Sequence, residues 1–230
     1  SNPNRRDAFE IAVRLDPNGD GGSRAVHAQF QLGQHLRAGM PTNAFPLHDD
    51  ARPTVLIAGG IGITPLKAMA QALQADARPF HLHYAARSAA LMAYHSKLSL
   101  ALSDNVRFYP HDTDDRLDVT AVMTAAPSDA VFYVCGPERL INAVRTAGDA
   151  IGIASDRIRF ERFAAPSTEV NDISFDVHLA RTGKTIHVKA DQTILHAMID
   201  AGATPDFECQ SGTCGARAVK ALDGTPDHRD

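Results

Sequence analysis

The sequence lacks the features of membrane proteins and of secreted, disulfide-rich proteins. No run of about eighteen apolar residues occurs in it, and its start, SNPNRRDAFE, lacks the apolar segment of a signal peptide. Three cysteines, an odd number, argue against a disulfide framework. These absences predict a cytoplasmic protein with no membrane partner.

A block of like charges is also missing. Lys and Arg number 23 against 27 Asp and Glu, which gives a net charge of −4, and neither sign is clustered. Because nucleic acids and anionic membrane surfaces bind concentrated positive charge, neither is expected as a partner. With 44% hydrophobic residues, the 230 positions can form the cores of two small domains or one large one.

The most informative stretch is 54–65, TVLIAGGIGITP, where an apolar run gives way to glycines. Val55 to Ala58 predicts a buried strand, and Pro65 predicts the first residue of a helix. Three glycines lie between them: Gly59, Gly60 and Gly62. In such a turn the backbone can approach an anion, and the helix start offers N–H groups to it. The spacing is not GxGxxG, so a tight turn without a ligand stays open as the alternative to a pyrophosphate site.

Strands and helices alternate around this stretch. The predicted strands are 54–58, 80–86, 106–109, 130–135 and 157–162, and the predicted helices are 65–75, 89–102, 118–125 and 137–150. This alternation predicts a parallel sheet that is covered on both faces and binds ligands at the carboxyl ends of its strands. Two further strand ends carry residues suited to binding: Arg87 with Ser88, and Cys135 with Gly136.

The preceding region has a different pattern. Phe9–Leu15 and Leu36–Met40 predict short strands, and Ser23 is predicted to cap a helix that runs to Phe30. The glycine-rich start of this helix, at Gly22, is compatible with a second phosphate site or with an ordinary capped helix. A charged, proline-containing connector predicts a domain boundary near residue 50.

The last part of the chain predicts a small α+β unit after a linker. Ser174–Ala180 and Thr185–Ala190 alternate as the strands of a hairpin, and Thr193–Ala201 predicts a helix with Asp191 or Thr193 as its cap. The loop that follows contains Cys209 and Cys214. Their spacing matches the first two ligands of a plant-type [2Fe–2S] ferredoxin, Cys-x4-Cys-x2-Cys. The third position is Arg217, which has no lone pair to offer iron.

The chain carries a series of motifs in a fixed order: GGSRAVH, NAFPL, GGIGITP, YAARS, YVCGP, FERF, CQSGTCG and GTPDHRD. In this order the sequence resembles the phthalate dioxygenase reductase and vanillate O-demethylase reductase family over essentially its whole length. The resemblance implies electron transfer from NADH through FMN to a [2Fe–2S] cluster, and from there to a separate Rieske-type oxygenase. NADH gives two electrons as one hydride and a cluster accepts one at a time, so a flavin is needed between them.

The resemblance implies a multidomain α/β and β fold. We expect a partial FMN-binding β-barrel over 1–49 and an NAD(P)-binding α/β domain of the ferredoxin-reductase type over 50–163. A linker over 164–172 and a partial β-grasp ferredoxin-like [2Fe–2S] domain over 173–230 would follow. The match also implies a fragment cut at both ends, which begins just after the family's Arg-x-Tyr-Ser motif and stops before its fourth cluster cysteine.

The resemblance also assigns residues to cofactors. For the flavin these are Gly22 and Ser23 at its phosphate, Phe45 in its domain's pocket and Phe163 against its ring. Gly59, Gly60, Gly62 and Thr64 would face the dinucleotide. Cys135 and Gly136 would lie near the nicotinamide, with Cys135 as the catalytic positioner of the hydride step. Cys209 and Cys214 would ligate iron.

Three questions stay open from the sequence. No acidic residue ends the strand at Ala86, so Arg87 and Ser88 could bind the 2′-phosphate of NADPH, although the resemblance favours NADH. Arg217 and the absent fourth cysteine make the cluster doubtful in this chain. The alternative functions are an NAD(P)H flavin reductase and a non-redox dinucleotide-binding module, each with a decayed ferredoxin domain.

The histidines, including His81, His83 and His111, are expected to be structural or solvated.

Overall fold

The computed structural model describes residues 7–19, 21–39, 41–113, 115–163, 172–203, 205 and 219–225. The chain forms two compact units, Ser1–Arg162 and Phe163–Asp230. In the part of the chain that is described, no helix has the length and apolar character needed to cross a membrane.

The first unit is built on a sheet of five parallel strands. They are β1 (Thr54–Gly59), β2 (Phe80–Ala86), β3 (Val106–Pro110), β4 (Val131–Cys135) and β5 (Ile158–Glu161). Its α-helices are α1 (Gly22–Gln29), α2 (Ile63–Ala75), α3 (His95–Leu102), α4 (Val119–Ala125) and α5 (Glu138–Ala150). The strand order is β3-β2-β1-β4-β5. The order reverses between β1 and β4, and ligands of such sheets bind at the carboxyl ends of the strands at this reversal.

Both faces of the sheet are covered, as the alternation of strands and helices predicts. Leu56 and Tyr133 pack with side chains of α2 and α3 on one face, while Ile57 and Phe132 pack with α4 and α5 on the other. Every residue of β1 is buried, which is the reason for its continuous apolar sequence.

The predicted elements of this sheet are confirmed, with two corrections. Pro65 is the third residue of α2 and not the first, because a 3-10 turn at Gly60–Gly62 runs directly into the helix. A proline is tolerated there because the first-turn N–H groups have no partner within the helix. The predicted helix 89–102 is divided into a 3-10 turn at Ala89–Leu91 and α3, since Tyr94 adopts a left-handed conformation with φ 64°.

The region before β1 differs from the prediction. Its described residues form α1 and no strand, so the strands predicted at Phe9–Leu15 and Leu36–Met40 are wrong over the described positions. A strand needs a neighbour to pair its backbone groups, and no described segment supplies one. Ser23 is not the cap of α1. Gly21, with φ 96°, takes that position, while the Ser23 hydroxyl accepts a 3.0 Å hydrogen bond from the Asp16 backbone N–H.

The connector near residue 50 is attached to the sheet. His48 is buried, and its Nε2 lies 2.8 Å from Thr54 Oγ1 at the start of β1. Its backbone N–H donates to Tyr133 Oη of β4 at 2.7 Å, and its carbonyl accepts from Arg78 at 2.9 Å. These bonds fix the path of the chain into the parallel sheet.

The second unit contains an antiparallel hairpin and a helix. The hairpin consists of β6 (Phe175–Leu179) and β7 (Lys184–Val188), and the helix is α6 (Ile194–Asp200). Thr193, one of the two predicted caps, caps α6 by accepting from the His196 N–H, and Asp191 does not take this position. Ile186, Val188 and Ala197 form its small core.

Candidate functional site

The carboxyl ends of β1 and β4 meet through their glycine backbones. A Cβ atom on Gly136 would lie 2.9 Å from Gly59 Cα, and one on Gly59 would lie 2.7 Å from Pro137 Cδ. A Cβ on Gly62 would collide with the backbone carbonyl of Cys135. Gly59, Gly62 and Gly136 are therefore required for packing two strand ends together, a role that the sequence does not distinguish from ligand contact.

Gly60 differs from these glycines. Its φ of 56° lies in the left-handed region that side chains disfavour, and no atom lies within 4 Å of the position its Cβ would occupy. The space beside this residue is open. Gly60 is thus the glycine of the turn at which a ligand can approach the backbone.

The helix start beyond Gly60 is suited to an anion. The first turn of α2 contains no acidic residue, so the positive end of its dipole is not neutralised from within the helix. Thr64 donates its hydroxyl proton to the Ile61 carbonyl at 3.1 Å and stabilises the turn. By contrast, the first turn of α5 contains Glu138, whose negative charge offsets the positive end of that helix dipole. Of these two helix starts, α2 is the better phosphate site.

Cys135 ends β4 directly behind the glycine contact. Its side chain is fully buried, and burial, together with the nearby charge of Glu161, raises the pKa of the thiol to about 12. The thiol is therefore neutral at physiological pH and is not a thiolate nucleophile. A role as a neutral positioner is compatible with this environment and stays a prediction.

Two charged residues that the sequence analysis does not single out lie at this edge of the sheet, Glu161 at the end of β5 and Arg162 directly after it. Glu161 pairs with Cys135 in the β4–β5 register, and burial raises the pKa of its carboxyl group. The side chain of Arg162 is 9% exposed, and its Nε lies 3.0 Å from a carboxylate oxygen of Glu138. This ion pair ties the end of β5 to the start of α5. The sequence signal for both residues is the pair of opposite charges inside the motif FERF.

Arg87 and Ser88 follow β2 at the same carboxyl edge. Arg87 is exposed, and the Ser88 carbonyl accepts from the Leu91 N–H at 3.1 Å. The chain beyond them borders an open pocket of about 430 Å³. This pocket is lined by Ala89, Met92, Tyr94, His95, Ser96 and Lys97. The assignment of Arg87 and Ser88 to the cofactor stays a prediction.

The residues assigned to the flavin have different surroundings, each described here within its own unit. Gly22 is the first residue of α1 and has open space beside it, but the Ser23 hydroxyl is engaged with Asp16. Phe45 is buried against Tyr133, with 5.4 Å between ring centres, inside the core of the sheet. Phe163 is 52% exposed and belongs to the second unit. These flavin assignments stay predictions.

Of the two histidines of β2, His81 is exposed and His83 has a structural environment. His83 Nδ1 lies 2.8 Å from Tyr109 Oη, and burial lowers the pKa of the imidazole to about 4, so this ring is neutral at pH 7. Within the described ranges, no three His, Cys, Asp or Glu side chains are arranged to hold a metal ion.

The cysteine loop, with Cys209, Cys214 and Arg217, lies outside the described residues. Its side-chain types can still be compared with the ligands of a cluster. A plant-type cluster needs four thiolates. The loop supplies two, and Cys135, the third cysteine of the sequence, is a buried side chain of the parallel sheet. The third ligand position of the loop motif is Arg217, which has no lone pair to offer iron.

Two family models match the chain. Residues 36–158 match the N-terminal domain of the dimethylamine monooxygenase subunit DmmA-like family. Residues 177–230 match the 2Fe-2S iron-sulfur cluster binding domain.

The chain is similar over most of its length to several oxidoreductases. Tetrachlorobenzoquinone reductase of Sphingobium chlorophenolicum is 40% identical over 98% of this chain and 71% of its own length. Vanillate O-demethylase oxidoreductase of a Pseudomonas species is 37% identical over 99% of this chain and 73% of its own length.

A solved structure supports the expected fold class. Phthalate dioxygenase reductase, described as a modular structure for electron transfer from pyridine nucleotides to [2Fe–2S], superposes with a TM-score of 0.68 at 32% identity. The match covers 89% of this chain and 64% of the reductase. The parallel α/β sheet and the small antiparallel unit agree with the fold expected from the sequence.

Proposed function

Because this chain belongs to the oxygenase reductase family that includes vanillate O-demethylase oxidoreductase and phthalate dioxygenase reductase, we propose that it binds NADH at the carboxyl edge of its parallel sheet. Members of this family are oxidoreductases that use FMN, NADH and a [2Fe–2S] cluster. In the complete system, the electrons of NADH would pass through a flavin to an oxygenase on a separate chain, which we propose to be of the Rieske type.

The observation that carries this proposal is the open backbone of Gly60 in front of a helix start without acidic residues. The N–H groups at this turn would bind the pyrophosphate, and Thr64 would hold the turn in shape. The packed glycines Gly59 and Gly62 keep β1 and β4 close enough for one ligand to contact both strand ends.

The nicotinamide would lie beside Cys135 and Gly136. When bound, NADH supplies a hydride, which needs no acid or base from the protein. The buried neutral thiol would exclude water from this end of the site and would add no competing charge. Gly22 and Ser23, at the start of α1, are the residues proposed to hold the flavin phosphate through backbone N–H groups.

Isothermal titration with NADH and NADPH tests the binding proposal directly. We expect NADH to bind and NADPH to bind more weakly. Failure of the folded chain to bind either dinucleotide would overturn the proposal. A strong preference for NADPH would overturn only the choice of NADH, and it would favour a role for Arg87 and Ser88 at the 2′-phosphate.

We further propose that this chain does not hold a [2Fe–2S] cluster in the usual manner. The basis is Arg217, a permanent cation at the third ligand position of the motif. Iron analysis and electron paramagnetic resonance of the reduced chain would test this. A stoichiometric [2Fe–2S] signal would refute the proposal, and iron gained only by R217C would identify position 217 as the limiting ligand.

The same residue favours a second candidate function, dinucleotide binding with or without flavin reduction and without transfer to a cluster. Reduction of added FMN by NADH in the absence of any iron signal would support a flavin reductase. Binding of NADH without FMN reduction would support a non-redox module.

A further inference from the structure

Lys67 is a buried lysine that the proposed dinucleotide site does not use. It lies on α2, four residues after the first residue of the helix, and is 8% exposed. A buried ammonium group is stable only if other groups replace its hydration. Its partners therefore show what this position is built to hold.

Those partners come from two distant parts of the chain. Lys67 Nζ lies 3.1 Å from a carboxylate oxygen of Glu10, which is 57 residues away in sequence. The same ammonium lies 4.3 Å from the centre of the Tyr94 ring, within the range of a cation–π contact. The hydrogen bond to Lys67 is the main cause that lowers the pKa of Glu10, and Tyr94 contributes a further hydrogen bond to the carboxylate.

Tyr94 is held in an unfavourable backbone conformation at this contact. Its φ of 64° places a bulky residue in the left-handed region, immediately before the first residue of α3. Such a conformation persists only where the surrounding contacts impose it. Here the ring meets Lys67 on its face, while Lys97 lies farther away, at 5.8 Å from its centre.

Glu10 belongs to a segment without regular secondary structure that leads to α1. Residues 7–19 form no helix or strand, and the neighbouring side chains of Phe9 and Ile11 are 70% and 73% exposed. The segment in turn holds α1, because Asp16 N–H donates to Ser23 Oγ and Val13 carbonyl lies 2.8 Å from His27 Nε2. A continuous series of contacts thus runs from α2 through Glu10 to α1.

We propose that Lys67 and Tyr94 bind the carboxylate of Glu10 and thereby fix the amino-terminal segment and α1 relative to α2, the helix that begins at the proposed dinucleotide site. This contact positions the chain and takes no part in hydride transfer. Its consequence for hydride transfer rests on the proposed function, because α1 carries the two residues assigned to the flavin phosphate and α2 begins at the proposed pyrophosphate site.

Trypsin cleavage after Arg14, an exposed residue of the same segment, reports attachment independently of any cofactor. We expect E10Q and K67M to raise the cleavage rate about tenfold, as for the loss of a charge-assisted hydrogen bond that controls local opening. K67R should retain slow cleavage. K97M should raise the rate less than K67M, because Lys97 acts on Glu10 through its charge but lies farther from the Tyr94 ring. Equal cleavage of E10Q and wild type would overturn the proposal, even if K67M were poorly folded.

A second measurement separates this proposal from the proposed function. In the chain supplied with FMN, E10Q should lower the rate of flavin reduction while the dissociation constant for NADH stays unchanged. An unchanged rate would overturn the positioning role. If the wild-type chain does not bind NADH, the proposed function is refuted. The trypsin result would still decide whether the contact between Lys67 and Glu10 holds the segment in place.

Discussion

Replacement of Gly60 by alanine separates the conformational role of this residue from its proposed contact with NADH. The left-handed φ of 56° costs an alanine about 1 kcal/mol in the free energy of unfolding. Apart from Gly59, residue 60 itself and Ile61, no protein atom lies within 4 Å of the new methyl group, so no clash is added and the fold should persist. The methyl group would occupy the space through which the pyrophosphate approaches, and we expect at least about a tenfold loss of NADH affinity, or about 1.4 kcal/mol.

Gly152, after α5, provides a matched control. Its φ is 74° and it also has open space at the Cβ position, so G152A should lose a similar stability in urea unfolding. Isothermal titration should show wild-type NADH affinity for G152A and weakened affinity for G60A. A folded G60A chain that binds NADH as tightly as wild type would refute the proposed approach of the ligand to this turn. G62A behaves differently again, because its methyl group would strike the Cys135 backbone, and we expect a stability loss above about 2 kcal/mol.

Three further predictions concern the surroundings of the site. R162M removes the ion pair with Glu138 and should lower the free energy of unfolding, measured by urea titration, by about 1 kcal/mol. R162K should recover part of this loss. Equal stability of R162M and wild type would contradict a structural role for the pair. Cys135 should resist alkylation by iodoacetamide at pH 8 until the chain is unfolded, as read by peptide mass spectrometry, and native labelling would contradict its burial. The pKa of His83 is lowered to about 4 in the folded chain, so the unfolded state binds the proton first as pH falls below about 6.5. The free energy of unfolding should therefore decrease by about 2 kcal/mol between pH 6.5 and 4. H83Q should flatten this part of the pH profile, and an unchanged profile would contradict the assignment.

The roles of the glycines depend on contacts between separate parts of the chain. The sequence places Gly59, Gly60 and Gly62 in one turn and suggests one common purpose for them. In the folded chain, two of them pack against the end of β4, and only Gly60 remains open. The difference arises because β4 lies beside β1 in the sheet although β2 and β3 separate them in sequence. The crowding at each glycine is therefore a property of the assembled sheet.

The same reasoning explains the two wrong strand predictions. Phe9–Leu15 has the alternation of a strand, but alternation describes only which side chains share a face. A strand also needs a neighbouring backbone, and this is a non-local requirement that the local pattern cannot supply. Instead the segment is attached through Glu10, whose partner Lys67 is not identifiable from the sequence around either residue.

The sequence by itself determined the parallel α/β unit, the hairpin with its helix, and the turns at Gly60 and Gly136, because apolar periodicity, glycines and caps act over a few neighbouring residues. The tertiary structure alone decided which glycines are needed for packing, that Cys135 is buried and neutral, and that Arg162 and Lys67 find carboxylate partners. These properties depend on how closely distant segments approach one another, and therefore on the burial and the charges that each side chain meets only in the folded chain.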